Sequence, residues 1–241
     1  MMRGEQEQAC LNAVKKLLRT KDCSLYVDEN DDIFNYILAA QANEHESDFP
    51  DFIFDSGFIE HFQVSSAKET SKGSCFKQEE SKHKRTTDKV CKESQEQWKK
   101  EEFRPNTILS KSYDLIYDEN SYEYFVNSFK RNFEKHVGSL KKYGGQNKNG
   151  IFLIEHTSAM LFVDGTYPVV PYRLYFDKDV LEYLYQFKDL LKYVVYTDRE
   201  RVDVIKISVI PKIIQRIPQG VKFKAGRTCS YTLHCLVDLE L

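Results

Sequence analysis

Four side chains in one short stretch, Asp51, Glu60, His61 and Gln63, combine carboxylates, an imidazole and an amide on residues that otherwise read as apolar strand. Burying an unpaired carboxylate is costly, so Asp51 and Glu60 require a cation, a hydrogen-bond network or an exposed face. A shared divalent ion is the sharpest of these options. Mg²⁺, or Mn²⁺ in its place, takes hard oxygen ligands from one or two carboxylates plus water and a substrate phosphate. Such an ion polarises a scissile phosphate and acidifies a bound water, which is the chemistry of phosphodiester hydrolysis.

The elements that must position these groups are two short strands. Phe52, Ile53 and Phe54 precede an Asp-Ser-Gly turn, and Phe58, Ile59, Phe62 and Val64 follow it, with Gly57 expected to accept a positive φ. Register decides which groups meet. A two-residue Ser56-Gly57 loop puts Asp51, Asp55 and Glu60 on one face with Phe62. A three-residue loop with Gly57 left-handed puts Asp51 with His61 and Gln63 instead, and a bulge after Glu60 would carry Gln63 to the acids. The acidic arrangement is the one expected. The plainer alternative is that Asp51 caps a turn after Pro50 and Glu60 lies at a sheet edge, with His61 satisfied by a neighbour.

The 241 residues suffice for one domain with a sizeable core. With 35 basic against 37 acidic side chains the formal charge is -2, so any nucleic-acid surface must be local rather than global. Six cysteines without a CxxC pair argue against structural zinc and for free thiols in a reducing cytoplasm. No secretory leader or membrane-length apolar run is evident.

Amphipathic spacing predicts helices over about Glu5 to Arg19, Asp31 to Asn43 and Asp179 to Leu191. A longer one opens at a cap-like Asn120-Ser121 and ends at Gly144-Gly145, with Phe125, Phe129, Phe133, Val137 and Leu140 on its apolar face. Ile151 to His156 does not alternate and reads as a central strand, with His156 structural. Ser110 to Tyr117 reads as a short strand or turn, further strands are expected at Tyr193 to Tyr196 and Val202 to Ile210, and an edge strand from Cys229 to Leu241; Lys212 to Ile217 is ambiguous. Between Lys68 and Glu102 ten basic and eight acidic residues nearly cancel, marking 65–105 as a charged insertion. A mobile loop with a solvated helix from about Lys77 is the plain reading. A lid or nucleic-acid clamp centred on Lys82, His83, Lys84 and Arg85 is the functional one. Helices interleaved with strands give an α/β class, a central mixed sheet flanked by helices, in a single domain over 1–241.

The order of helix, acidic cluster, Pro-Asp strand, tight turn, Glu-bearing strand, long basic-edged helix and apolar strand resembles the PD-(D/E)xK, or restriction-endonuclease-like, nuclease superfamily. The resemblance spans roughly Asp31 to Ile154 without the insertion. It implies a Mg²⁺- or Mn²⁺-dependent endonuclease of restriction or defence type, with Asp51 and Glu60 as metal ligands and Glu44 or Glu46 as a further acid from the preceding helix. The family's lysine would stand two residues after Glu60, where this chain has Phe62; His61 or Gln63 would then position water. DNA is the implied partner, contacted through Lys130, Lys135, Lys141 and Lys142 if these are more than a solvated helix face.

Two rival classes stand beside this. One is a nuclease-fold module that has lost catalysis and binds nucleic acid or a protein; the other is an interaction protein working through 65–105. A homodimer is compatible with each.

Overall fold

The computed structural model describes residues 4–43, 49–70, 73–100, 108–116, 119–145, 147–158, 160–226 and 228–236. Its elements in chain order are α1 (Glu5–Leu17), β1 (Cys23–Tyr26), α2 (Ile33–Ala39), β2 (Gln41–Ala42), β3 (Phe52–Phe54), β4 (Gly57–Val64), β5 (Glu69–Thr70), β6 (Gly73–Ser74), α3 (Cys75–Lys100), β7 (Ile108–Ile116), α4 (Tyr122–Leu140), β8 (Ile151–His156), β9 (Leu161–Val163), α5 (Lys178–Tyr185), β10 (Tyr193–Thr197), β11 (Val202–Lys206), α6 (Ile210–Ile214), β12 (Phe223–Ala225) and β13 (Thr228–Leu236).

Seven strands make one mixed sheet in the order β1-β11-β10-β8-β4-β3-β2. β4, β8 and β10 run parallel, while β3 is antiparallel to both β2 and β4. β8 is buried along its whole length, as a strand covered on both faces must be.

Side-chain alternation sends the two faces of the sheet into two cores. Phe58, Phe62, Phe152, Ile154 and Val194 pack against α4 and α5, and Ile59, Ile151, Leu153, Val195 and Val204 pack against α1 and α2. The result is a helix–sheet–helix sandwich. α4 is anchored by Phe125, Phe129 and Phe133, each fully buried and worth roughly 1.5–3 kcal/mol of apolar transfer. Its start is fixed by Ser121, whose hydroxyl accepts the Tyr124 N–H at 3.1 Å.

The charged segment departs from the sheet and returns at one place. Lys68 N–H donates to the Glu119 carbonyl and Ser121 N–H to the Ser66 carbonyl, both at 2.9 Å. Between them α3 forms one long helix, and β7 pairs antiparallel with β13 outside the main sheet. Among the described residues no helix is long and apolar enough to cross a membrane. Among the described residues Cys10, Cys23 and Cys91 lie outside any disulfide.

Several expected boundaries shift. The second helix is only α2, because the chain turns extended at Ala40 to form β2. The helix expected to reach Leu191 ends at Tyr185, and the ambiguous stretch after Ile210 contributes the short α6.

Candidate functional site

The hairpin has a register that neither expected loop gives. Phe52 pairs with Ile59, Ile53 with Phe58 and Phe54 with Gly57, so Asp55 and Ser56 form the two-residue loop. Gly57 has no positive φ. It is glycine for a different reason: a Cβ there would lie 2.6 Å from the Asn149 carbonyl oxygen. Asn149 also clamps the turn, its side-chain N–H donating to Ser56 Oγ at 2.7 Å. Asp55 is exposed in the turn, away from the acids.

Continuing the register by one place sets Asp51 opposite Glu60, on the α4 side of the sheet. The two residues interlock. Asp51 N–H donates to Glu60 Oε2 at 3.2 Å, and Asp51 Oδ2 accepts the His61 N–H at 2.7 Å. Burial, followed by the Glu60 charge, pushes the Asp51 carboxyl from 3.8 up to about 7. α4 adds His136, whose Nδ1 lies 2.6 Å from Glu60 Oε1. Burial and the nearby Lys135 charge push that imidazole down to about 4, so it is neutral at neutral pH and the contact is a hydrogen bond rather than an ion pair. Facing an ionised Glu60, which can only accept, Nδ1 would carry the proton and Nε2 the lone pair. The ring stacks on Phe62, centroids 4.6 Å apart. The helix therefore lays an imidazole over Phe62, two residues after Glu60.

His61 and Gln63 face the other way. β4 pairs continuously with β8 from Ile59 to Val64, with no bulge to rotate Gln63 toward the acids. On the α1 side both converge on Glu155: His61 Nε2 lies 3.0 Å and Gln63 Nε2 2.8 Å from Oε2, and the Arg199 guanidinium holds Oε1. Burial alone would raise the Glu155 carboxyl, but these three donors outweigh it and hold it below its ordinary value. Arg199 reaches it from a left-handed backbone, φ 69. Cys10, His61 and Glu155 also offer ligand atoms within 4.8 Å of one another. That donor set suits zinc rather than Mg²⁺, but the Arg199 guanidinium already neutralises Glu155 and burial pushes the Cys10 thiol far up. The cluster is a satisfied hydrogen-bond network between β4, β8 and the β10–β11 turn.

Glu44 and Glu46 lie outside the described residues. Lys135, Lys141 and Lys142 are exposed on or just beyond α4, whereas Lys130 sits 5.3 Å over the Tyr183 ring in a groove with Glu123, Asp179 and Glu182. At about 100° per residue Lys130 and Lys135 point about 140° apart, so the four lysines do not share one face. His156 is buried and pushed down to about 4, with Ser158 Oγ 2.9 Å from its Nε2. His136 is the group that sequence reading passed over. Its signal was its place on α4's apolar stripe, three residues after Phe133 and four before Leu140.

No protein-family model, curated protein or solved structure matches the chain.

Proposed function

We propose that this protein is a divalent-metal-dependent phosphodiesterase acting on DNA, a divergent relative of the restriction-endonuclease-like nucleases. The observation that carries the reading is the apposition of Asp51 and Glu60 at the head of the β3–β4 ladder, where burial and then the Glu60 charge raise the Asp51 carboxyl to about 7. The order of elements that resembles the family recurs around it: α2, then β3 with Asp51 at its head, β4 with Glu60, α4, and β8 parallel to β4.

The donor set fits a hard cation. Two carboxylates from neighbouring strands supply anionic oxygens, and their mutual repulsion is the term a divalent charge would offset. Mg²⁺ or Mn²⁺ bound there would polarise a phosphate oxygen and acidify water. Asp51 and Glu60 hold the ligand positions. His136 takes the part vacated by the missing lysine: it is neutral, it is oriented by Glu60, and its Nε2 lone pair can accept a proton from water. His61 and Gln63 act as positioning residues, bracing β4 through Glu155.

Incubation with plasmid and Mg²⁺ or Mn²⁺ tests this. Nicking or linearisation that is abolished by Asp51→Asn and by Glu60→Gln is expected. Cleavage that survives both substitutions would overturn the assignment. Phe62 at the lysine position and the deep burial of Glu60 favour a second reading, a module of the same fold that binds DNA without cutting it. Intact plasmid together with salt-sensitive binding that needs no metal is the result that selects it.

A further inference from the structure

α4 carries a glycine that the fold itself does not require. Gly138 lies in the penultimate turn of the helix, where glycine is less favourable than alanine, and its φ is not positive. A Cβ built on it meets nothing within 4 Å, in contrast to Gly57, so no neighbour in the chain excludes a side chain there. What remains is the close approach of something outside the chain.

The residues around Gly138 say what approaches. Counting by fours and threes along the helix, Arg131, Lys135, Gly138 and Lys142 fall within about 60° of one another. Lys142 lies one place past the helical cap Lys141, its N–H donating to the Ser139 carbonyl at 3.0 Å. Arg131 is spent on the Glu69 carboxylate at one end of this stripe. Lys135 and Lys142 are exposed on either side of Gly138 and, among the described residues, pair with no acid. They stand about 10 Å apart along the axis, far enough to hold separate anionic groups. Glu134 points away from this face, toward Tyr183, whose hydroxyl lies 3.4 Å from its Oε1. From Lys135 to Gly150 the chain has four lysines and no acid, although its net charge is -2. The stripe also adjoins the carboxylate site. Lys135 precedes His136 and its charge acts on that ring, while Tyr143 packs 5.3 Å from Phe49, two residues before Asp51.

We propose that this face of α4 seats one strand of DNA, its sugar–phosphate backbone crossing over Gly138 with one phosphate held by Lys135 and another by Lys142. An acid-free saddle with a cation at each end suits a polyanion whose charges repeat along a line. A side chain at position 138 would hold that backbone off the helix. Contacts of this kind position a strand without reading its sequence, and a strand lying here passes beside the Glu60–His136 contact. The partner rests on the nucleic-acid reading above, but the seat does not require cleavage.

The test uses the full chain without divalent metal and labelled duplexes of unrelated sequence, with affinity followed across salt concentration. Lys135→Gln and Lys142→Gln should each reduce the slope of log K against log salt by about 0.9 and weaken all the duplexes alike. Lys16→Gln, exposed on α1 across the sheet, should keep the wild-type slope. Gly138→Leu should weaken binding by about tenfold or more through steric exclusion, whereas Gly138→Ala should raise the Tm, its methyl having open space. If the lysines serve only the negative C-terminal end of α4, both glutamine variants lower the Tm and leave the slope intact, which overturns the seat. Wild-type affinity in Gly138→Leu, or a lowered Tm in Gly138→Ala, would overturn it as well. Metal-dependent plasmid cutting with a slope indifferent to both lysines would overturn the seat and keep the hydrolytic reading. The expected loss of slope in a chain that never cuts would keep the seat and overturn hydrolysis.

Discussion

Asp51 and His136 are displaced in opposite directions by the same burial, and pH separates them. Asp51 titrates at about 7 in the fold against 3.8 unfolded, so between these values the folded chain holds the extra proton and stability falls as pH rises. His136 and His156, both pushed from 6.5 down to about 4, do the reverse: the unfolded chain holds the protons, and stability rises with pH across that window. The opposing slopes partly cancel up to about 6.5, and above it only the Asp51 slope persists. Asp51→Asn keeps an oxygen for the His61 N–H and removes the repulsion with Glu60. Its stability, followed by urea unfolding, should exceed wild type by roughly 1–2 kcal/mol at pH 8 and converge with it near pH 4; the full shift is discounted because Asp51 is partly exposed. Equal curves at pH 8 would show that the Asp51 carboxyl is not raised in the fold. Mn²⁺ should raise the Tm of wild type at pH 8 and leave that of Asp51→Asn unchanged, by binding only the folded state of the former. His136→Gln should lower kcat by roughly 10²–10⁴ and keep the Mn²⁺-induced Tm shift, which separates water activation from metal holding.

Elements with strong local periodicity were legible from the chain; those defined by distant contacts were not. The Phe125, Phe129, Phe133 stripe and the Ser121 cap announce α4, and the unbroken apolar run from Ile151 announces β8, because each pattern is set by neighbours within a few residues. Gly57 shows the opposite case. Asp-Ser-Gly reads locally as a turn closing on a left-handed glycine, yet the constraint comes from the carbonyl of Asn149, ninety-two residues away, and it moves the loop back to Asp55-Ser56. Asp51 and Glu60 were expected only to share a face and stand directly opposite in the observed register, whereas Gln63 needed a bulge that β8 does not allow. β1, short and half-exposed, carries no such signal and exists by pairing with β11. Gly57→Ala measures the distant constraint. A Cβ placed 2.6 Å from a backbone oxygen forces β4 or Asn149 to shift, and a loss of about 1–3 kcal/mol in urea unfolding is expected. A neutral result would return Gly57 to the status of an ordinary strand residue.

At the scale of the whole molecule, the charged segment is an excursion whose two ends are stitched together. The hydrogen bonds joining Ser66 to Ser121 and Lys68 to Glu119, with the Lys68–Glu119 ion pair at 3.2 Å, keep the exit and return adjacent whatever lies between. A loop's closure cost grows only with the logarithm of its length, so a long excursion between adjacent points burdens the sandwich little. Replacing 70–118 by a short Gly/Ser linker, and ending the chain after Gly226 so that β13 is not left without β7, should therefore preserve the seven-stranded sheet. Cooperative unfolding with a Tm within a few degrees of the full chain is the expected outcome, read by circular dichroism. The same variant sorts the functional readings. Metal-dependent cleavage retained by the shortened chain places the chemistry in the sandwich with Asp51 and Glu60. A folded chain that neither cuts nor binds DNA would move the nucleic-acid surface to the excursion, where Lys82, Lys84 and Arg85 cluster.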